Sequence, residues 1–251
     1  MDFDLSVLLI VLPFIFVGGF IDAIAGGGGI VGMIGFMLAG VPMHNILGTN
    51  KIQAMFGTGV ATRNYVKNGS YKKEYIIFSV LGSLCGAFLG SSVALSIEQD
   101  TLAIIMTIAL PIISLVSLSG FRGEKKETHY SRKKIYLLAL SIGLGVGFYD
   151  GLIGPGAGTF YIIAFSLCGM SLLEANGNAK IVNLGSNISA GMWLLINGKV
   201  IVWLVIPCII VNMVSNYLGS KLAINNGDKI VKPVIILVLI LLFIKTIYEF
   251  L

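Results

Sequence analysis

Ten apolar runs constrain this chain more than any other feature. They fall at about residues 5–24, 30–40, 52–66, 75–95 and 101–120, and again at 135–153, 159–169, 181–196, 200–220 and 233–251. Several reach the ~20 residues that a helix needs to cross the ~30 Å hydrocarbon core of a bilayer. In hydrocarbon every backbone polar group needs a partner, and a helix supplies those partners within one segment. The chain therefore reads as an all-α integral membrane protein with about 8–10 hydrophobic segments. Composition agrees. Of 251 residues 56% are hydrophobic and 12% are charged, about half the charged share of a soluble domain.

The runs come as five, a basic loop, and five more. The expected division is a first repeat over 1–120, a basic loop over 121–134 and a second repeat over 135–251. The residues themselves recur. Gly18-Gly19-Phe20-Ile21-Asp22-Ala23-Ile24-Ala25-Gly26-Gly27-Gly28-Gly29 parallels Val146-Gly147-Phe148-Tyr149-Asp150-Gly151-Leu152-Ile153-Gly154-Pro155-Gly156-Ala157 at an offset of 128. After one inserted residue Gly40 matches Gly169, Gly48 matches Gly177, Lys51 matches Lys180, and Asn68-Gly69 matches Asn197-Gly198.

Twelve of the 17 basic residues fall in 67–74, 121–134 and 221–232, whereas the N-terminal tail and the turn at Glu98 and Asp100 have none. The positive-inside rule makes the basic group cytoplasmic and both termini external, in the cell membrane. Equivalent turns of the two halves then lie on opposite faces, so the repeats are inverted. Five spans per half, or three plus a re-entrant hairpin, both satisfy this. The acidic start Met1-Asp2-Phe3-Asp4 is unlike the basic start of a secretory leader, so the first run is expected to be a retained helix.

Each half has one glycine-rich break inside apolar sequence, at Gly26, Gly27, Gly28 and Gly29 and at Gly154-Pro155-Gly156-Ala157-Gly158. Broken segments at matching positions of two halves point to a transporter's substrate site, and their free helix ends suit an anion. The alternative is close helix packing. Lys51 and Lys180, with Thr49, Asn50, Gln53, Asn178, Asn183 and Asn187 beside them, supply charge and amides for a small anionic substrate. Equally, each lysine snorkels or pairs with an aspartate. Asp22 and Asp150 precede the breaks at equivalent positions. A carboxylate in an apolar run is a functional candidate by default, here to carry a coupled proton or sodium ion, or else to cap or pair structurally. Gly82, Gly86 and Gly90 form a helix-contact face, within one chain or in a homodimer.

Other classes fit less well. Gly27-Gly28-Gly29-Ile30-Val31-Gly32 has the letters of a dinucleotide loop, but no strand precedes it and no acidic residue follows at the required distance. Two histidines and three apolar-run cysteines give no metal set, cofactor site, disulfide framework or catalytic cluster, so no enzyme is expected. The basic loops lack the aromatic surface of a nucleic-acid binder.

The combination of Phe20 to Gly29, Gly48-Thr49-Asn50-Lys51-Ile52-Gln53 and Gly147-Phe148-Tyr149-Asp150-Gly151 resembles the TauE/SafE family of membrane proteins, its YfcA-like branch above all. The resemblance covers nearly the whole chain. It implies an exporter or permease of sulfur-containing anions, such as sulfite and sulfonates, or of related organic acids. The second break departs from the family's glycine run. The expectation is a secondary transporter working by alternating access between the halves; an anion channel and a non-transporting membrane scaffold are the alternatives.

Overall fold

The computed structural model describes residues 4–102, 104–105, 130–234 and 236–237. Most of the apolar runs 101–120 and 233–251, and the basic segment 121–134 as far as His129, lie outside the described residues. The rest is helical, with no strand among the described residues. Helices α1 (Leu5–Ala25), α2 (Gly29–Leu38), α3 (Met43–Lys67) and α4 (Lys73–Ser96) come first. Helices α5 (Arg132–Leu152), α6 (Ala157–Leu167), α7 (Leu172–Ile196) and α8 (Val202–Asn226) repeat the order long, short, long, long.

Length and polarity sort them. Helices α1, α4, α5 and α8 are long and apolar enough to cross a membrane. Helices α3 and α7 have 25 residues each, about 38 Å at 1.5 Å per residue, but polar side chains interrupt their apolar sequence. Helices α2 and α6, at 10 and 11 residues, are about half as long as a crossing requires.

Most polar residues of α3 and α7 point inward, with Arg63 and Lys67 near the end of α3 exposed. Lys51, Gln53, Asn176, Asn178 and Lys180 are buried, while Leu9, Ile77, Leu137 and Ile206 are more than half exposed. A polar interior inside an apolar surface is the arrangement a lipid solvent selects. It also explains where α3 and α7 begin. The apolar runs start at 52 and 181, but the helices start at Met43, after Pro42, and at Leu172, after Ser171. The buried polar turn between is helical. A capping box of Ser171 and Glu174 opens α7, and Asp228 accepts hydrogen bonds from the Leu172 and Leu173 amides. Such side chains satisfy amides that a helix start leaves unpaired.

The basic segments are shorter as loops than the sequence implied. Lys67 ends α3 and Lys73 opens α4, Arg132, Lys133 and Lys134 begin α5, and Lys221 lies within α8. Helical sequence continues into the charged residues because Lys and Arg are good helix formers.

Packing pairs the halves. Helix α4 lies along α5, α1 along α8, α3 against α7 and α8, and α4 against α7. Exchanging equivalent helices maps these contacts onto one another. Small residues set the closest approach, since lipid gives helices no hydrophobic reason to associate. Gly82, Gly86 and Gly90 of α4 face the α5 backbone at Leu140, Leu144 and Phe148. In return Gly143, Gly147 and Gly151 of α5 face the α4 backbone at Ser79, Ser83 and Ala87. The glycine face of α4 is thus occupied within the chain. Replacing Gly86 by Leu is expected to separate α4 from α5 and lower the melting temperature in detergent by several degrees. Gly145→Ala, at a position where a Cβ meets open space, is expected to be neutral or to stabilise by up to about 1 kcal/mol. Equal melting temperatures for Gly86→Leu and the wild type would remove the close-packed α4–α5 contact.

Candidate functional site

The two glycine breaks touch. Gly26 closes α1 in the left-handed region, with φ 77°, which disfavours a side chain. A Cβ there would also collide with the Gly158 backbone, and one on Gly158 would collide with Gly26. The helix end at Gly26 leaves its last carbonyls needing donors, and each receives one. The Gly26 amide donates to the Asp22 carbonyl at 2.7 Å. Tyr65 Oη donates to Ala23 O at 2.9 Å, Asn176 Nδ2 to Ile24 O at 2.6 Å, and Thr159 Oγ1 to Ala25 O at 2.8 Å. The donors come from α3, α7 and α6, so the break is held by three other helices. In the second half Tyr149 Oη donates to Pro155 O at 2.6 Å.

Beside the breaks lie two ion pairs, and each crosses from one half to the other. Lys51 Nζ of α3 is 2.6 Å from Asp150 Oδ1 of α5. Lys180 Nζ of α7 is 2.7 Å from Asp22 Oδ2 of α1. A lysine in an apolar interior requires a compensating charge, and here it is supplied by the opposite repeat. Asp150 is further held by Ser186 Oγ at 2.5 Å and Asn183 Nδ2 at 3.2 Å, both on Oδ2. Lys51 also donates to Asn187 Oδ1 at 3.3 Å. Asn187 Nδ2 in turn reaches Asn183 Oδ1 and Thr58 Oγ1.

A cavity of about 40 Å³ opens between the breaks and these pairs. That is room for about three water molecules, the scale of a small ion. Gly28, Gly29, Gly154, Gly156 and the Gly26–Gly158 contact form part of its wall. Asp22, Asn50, Lys51, Gln53, Asp150, Asn183 and Asn187 supply polar side chains to it. The starts of α2 and α6, at Gly29 and Ala157, stand at its edge, so helix amide ends and carboxamides line one space. The charges of the two ion pairs sum to zero.

Comparison with known proteins places the chain. The family model described as sulfite exporter TauE/SafE matches residues 11–246. This chain belongs to the TauE/SafE family. It is 36% identical over 251 residues to the probable membrane transporter protein YfcA of Escherichia coli (strain K12), covering 96% of this chain and 90% of that one. It is 35% identical over 246 residues to the probable membrane transporter protein ORF9 of a Sinorhizobium species, covering 96% and 94%. A probable membrane transporter protein of Haemophilus influenzae is 28% identical over 99% of this chain and 98% of its own. No solved structure matches. The family and these relatives are membrane transporters, and nothing among them indicates an enzyme.

Not every candidate residue of this TauE/SafE member faces the cavity. Gly27 is not part of its lining, and Lys180 sits behind Asp22, fully buried. Thr49 and Asn178, equivalent in the two halves, do equivalent work elsewhere. Thr49 Oγ1 accepts from the Ile201 amide at 3.1 Å, at the start of α8. Asn178 Oδ1 accepts from the Lys72 amide at 2.7 Å, and Nδ2 donates to the Lys72 carbonyl, at the start of α4. The glycines before them, Gly48 and Gly177, lie against the Lys199 and Ser70 carbonyls. The conspicuous Gly-Thr and Gly-Asn pairs thus clamp the next helix of the opposite half.

Two polar lining side chains lie outside the sequence-derived set. Thr58 of α3 is one, and Asn212 of α8 is the other. Asn212 donates to Gln53 Oε1 and accepts from Asn216. The available signal was a pair of amides four residues apart, Asn212 and Asn216, inside the apolar run 200–220.

Removing one member of a buried ion pair strands the other. Lys51→Met is expected to cost about 3–5 kcal/mol of stability. Lys51→Met with Asp150→Asn, which removes both charges, is expected to recover most of that. Denaturation in detergent micelles reads both, and a double variant no more stable than the single one would contradict the pairing.

Proposed function

We propose that this protein is a multi-pass secondary transporter of a small anion, sulfite or a sulfonate being the leading class, across the cytoplasmic membrane. The observation that carries the proposal is the small polar cavity where the two glycine breaks meet, lined by helix amide ends and carboxamides with Lys51 in its wall. Oxyanions accept several hydrogen bonds at once, and backbone amides at a helix start donate them without adding charge. The family supports the sulfur-containing class.

Lys51 acts from the wall of the site, and Lys180 from behind Asp22. Because each is already paired, the anion is met first by Asn50, Gln53, Asn183, Asn187 and the amides of the breaks. A carboxylate on each side, Asp22 and Asp150, offers a coupling position for a proton or sodium ion. In this reading the repeats 1–120 and 135–251 are inverted, both termini are external, and the segment 121–134 is cytoplasmic. The halves rock against each other about the Gly26–Gly158 contact, exposing the cavity to one side and then the other. A homodimer would form through faces other than the α4 glycine stripe, which α5 already covers.

Uptake of labelled sulfite and of methanesulfonate into proteoliposomes tests the reading. Saturable uptake is expected, reduced at least tenfold by Asn187→Leu or Lys51→Ala at equal amounts of folded protein. Unchanged uptake in both variants would remove the proposed site. Conductance far above carrier turnover would replace the carrier by a channel, and no movement of any tested anion would favour a scaffold.

A further inference from the structure

The two aspartates hold equivalent places in the sequence, but the protein surrounds them differently. Asp150 is saturated: Lys51 on one oxygen, Ser186 and Asn183 on the other, with its side chain 3% exposed. Asp22 has one hydrogen-bonding side-chain partner among the described residues, Lys180, and its side chain is 20% exposed, at the cavity wall. The sequence explains the difference. At the offset of 129, Asn183 and Ser186 correspond to Ala54 and Gly57, which have no side-chain donor. The duplication kept both ion pairs and gave hydrogen-bond donors to one of them.

We infer that Asp22 is the protonation site that couples anion binding to proton uptake, while Asp150 stays ionised as a fixed anchor for Lys51. The inference rests on the anion-transport reading above and assigns its coupling residue. Two hydrogen bonds and an ion pair hold the Asp150 carboxylate, whereas a single ion pair holds that of Asp22. Asp22 lines the cavity, where its side chain is partly exposed. Charge bookkeeping then links the two ligands. With both aspartates ionised the four buried charges cancel. A proton on Asp22 leaves Lys180 uncompensated inside an apolar core, and a monoanion in the cavity restores the balance. Neither ligand is comfortable alone, and the two bind together.

The neighbours of Asp22 do not supply a competing group. Helix α3 brings Lys51 and Tyr65 within electrostatic reach. Lys51 is held by Asp150, and the Tyr65 hydroxyl donates to the Ala23 carbonyl. Helix α7 brings Lys180. Helix α8 presents Asn212, Ser215 and Asn216 to α1 at Gly19, α6 contributes Thr159, and α2 carries no titratable side chain. Across the cavity stands Asp150. A sodium ion would need five or six oxygen ligands where Lys180 already occupies the carboxylate, so a proton fits better.

Methanesulfonate, which stays ionised across the working range, makes the test clean. It is added to purified protein in weakly buffered detergent, and both affinity and bulk pH are followed, with sulfite and sulfoacetate as further probes. The wild type is expected to take up about one proton per anion bound, and its affinity to weaken as the pH rises, by at most about tenfold per pH unit. Asp22→Asn is expected to bind the anion with no proton uptake and no pH dependence. Should that variant misfold, Asp22→Asn with Lys180→Gln, which restores neutrality, serves in its place; without the uncompensated lysine it is expected to bind the anion more weakly, again with no proton uptake and no pH dependence. Anion binding by the wild type without proton uptake would overturn the inference and leave the transport reading standing. So would full pH dependence in a folded Asp22 variant. Failure of the wild type to bind any of the three anions would overturn the transport reading itself.

Discussion

Two buried lysines govern this structure. An ammonium group inside an apolar body is tolerable only beside a partner charge, and each lysine takes its direct partner from the opposite half. Lys51 takes Asp150 from the second half, and Lys180 takes Asp22 from the first. Each half therefore relies on the other for the direct partner of its lysine. The two must fold against each other, and the seam between them runs through the place where the glycine breaks meet.

The breaks obey the same logic applied to the backbone. Ending α1 at Gly26 inside a lipid-facing protein exposes carbonyls that water cannot serve. Tyr65, Asn176 and Thr159 were recruited from three helices to serve them. Glycine is needed where the two broken backbones touch, at Gly26 and Gly158. It is needed again along α4 and α5, where two helices approach too closely for any side chain between them. The site is thus a by-product of satisfied polar groups: what remains after the last carbonyls of α1 and the four buried charges have found partners is a small space lined by glycine backbone and carboxamides.

Much of this was legible in the letters. Apolar runs announced a helical membrane protein, the offset of 128 to 129 announced the paired halves, and the short runs after each break became α2 and α6. The recurrence of Asp22 with Asp150 and of Lys51 with Lys180 marked four charges that now form two pairs. What the letters left open was which partner each lysine would choose. Pairing is a tertiary fact, since Lys51 and Asp150 are about a hundred residues apart in sequence. Thr49 and Asn178 looked like site residues because they flank the lysines. On a helix, though, adjacent positions face different directions, and theirs is towards the next helix. Thr58 and Asn212 were hidden for the opposite reason, being polar residues within apolar sequence that only packing brings to the cavity. The start of α3 at Met43 was hidden because a buried polar turn looks like a loop.

The central claim is that a small oxyanion sits between the two breaks, at the seam of the halves. The most direct measurement is a crystallographic or electron-microscopic structure with selenite in place of sulfite, the selenium marking the ligand by its scattering. One strong peak is expected in the cavity, within hydrogen-bonding reach of the Gly28–Gly29 and Gly156–Gly158 backbones and close to Asp22. A peak elsewhere in the protein, with this cavity empty, would contradict it.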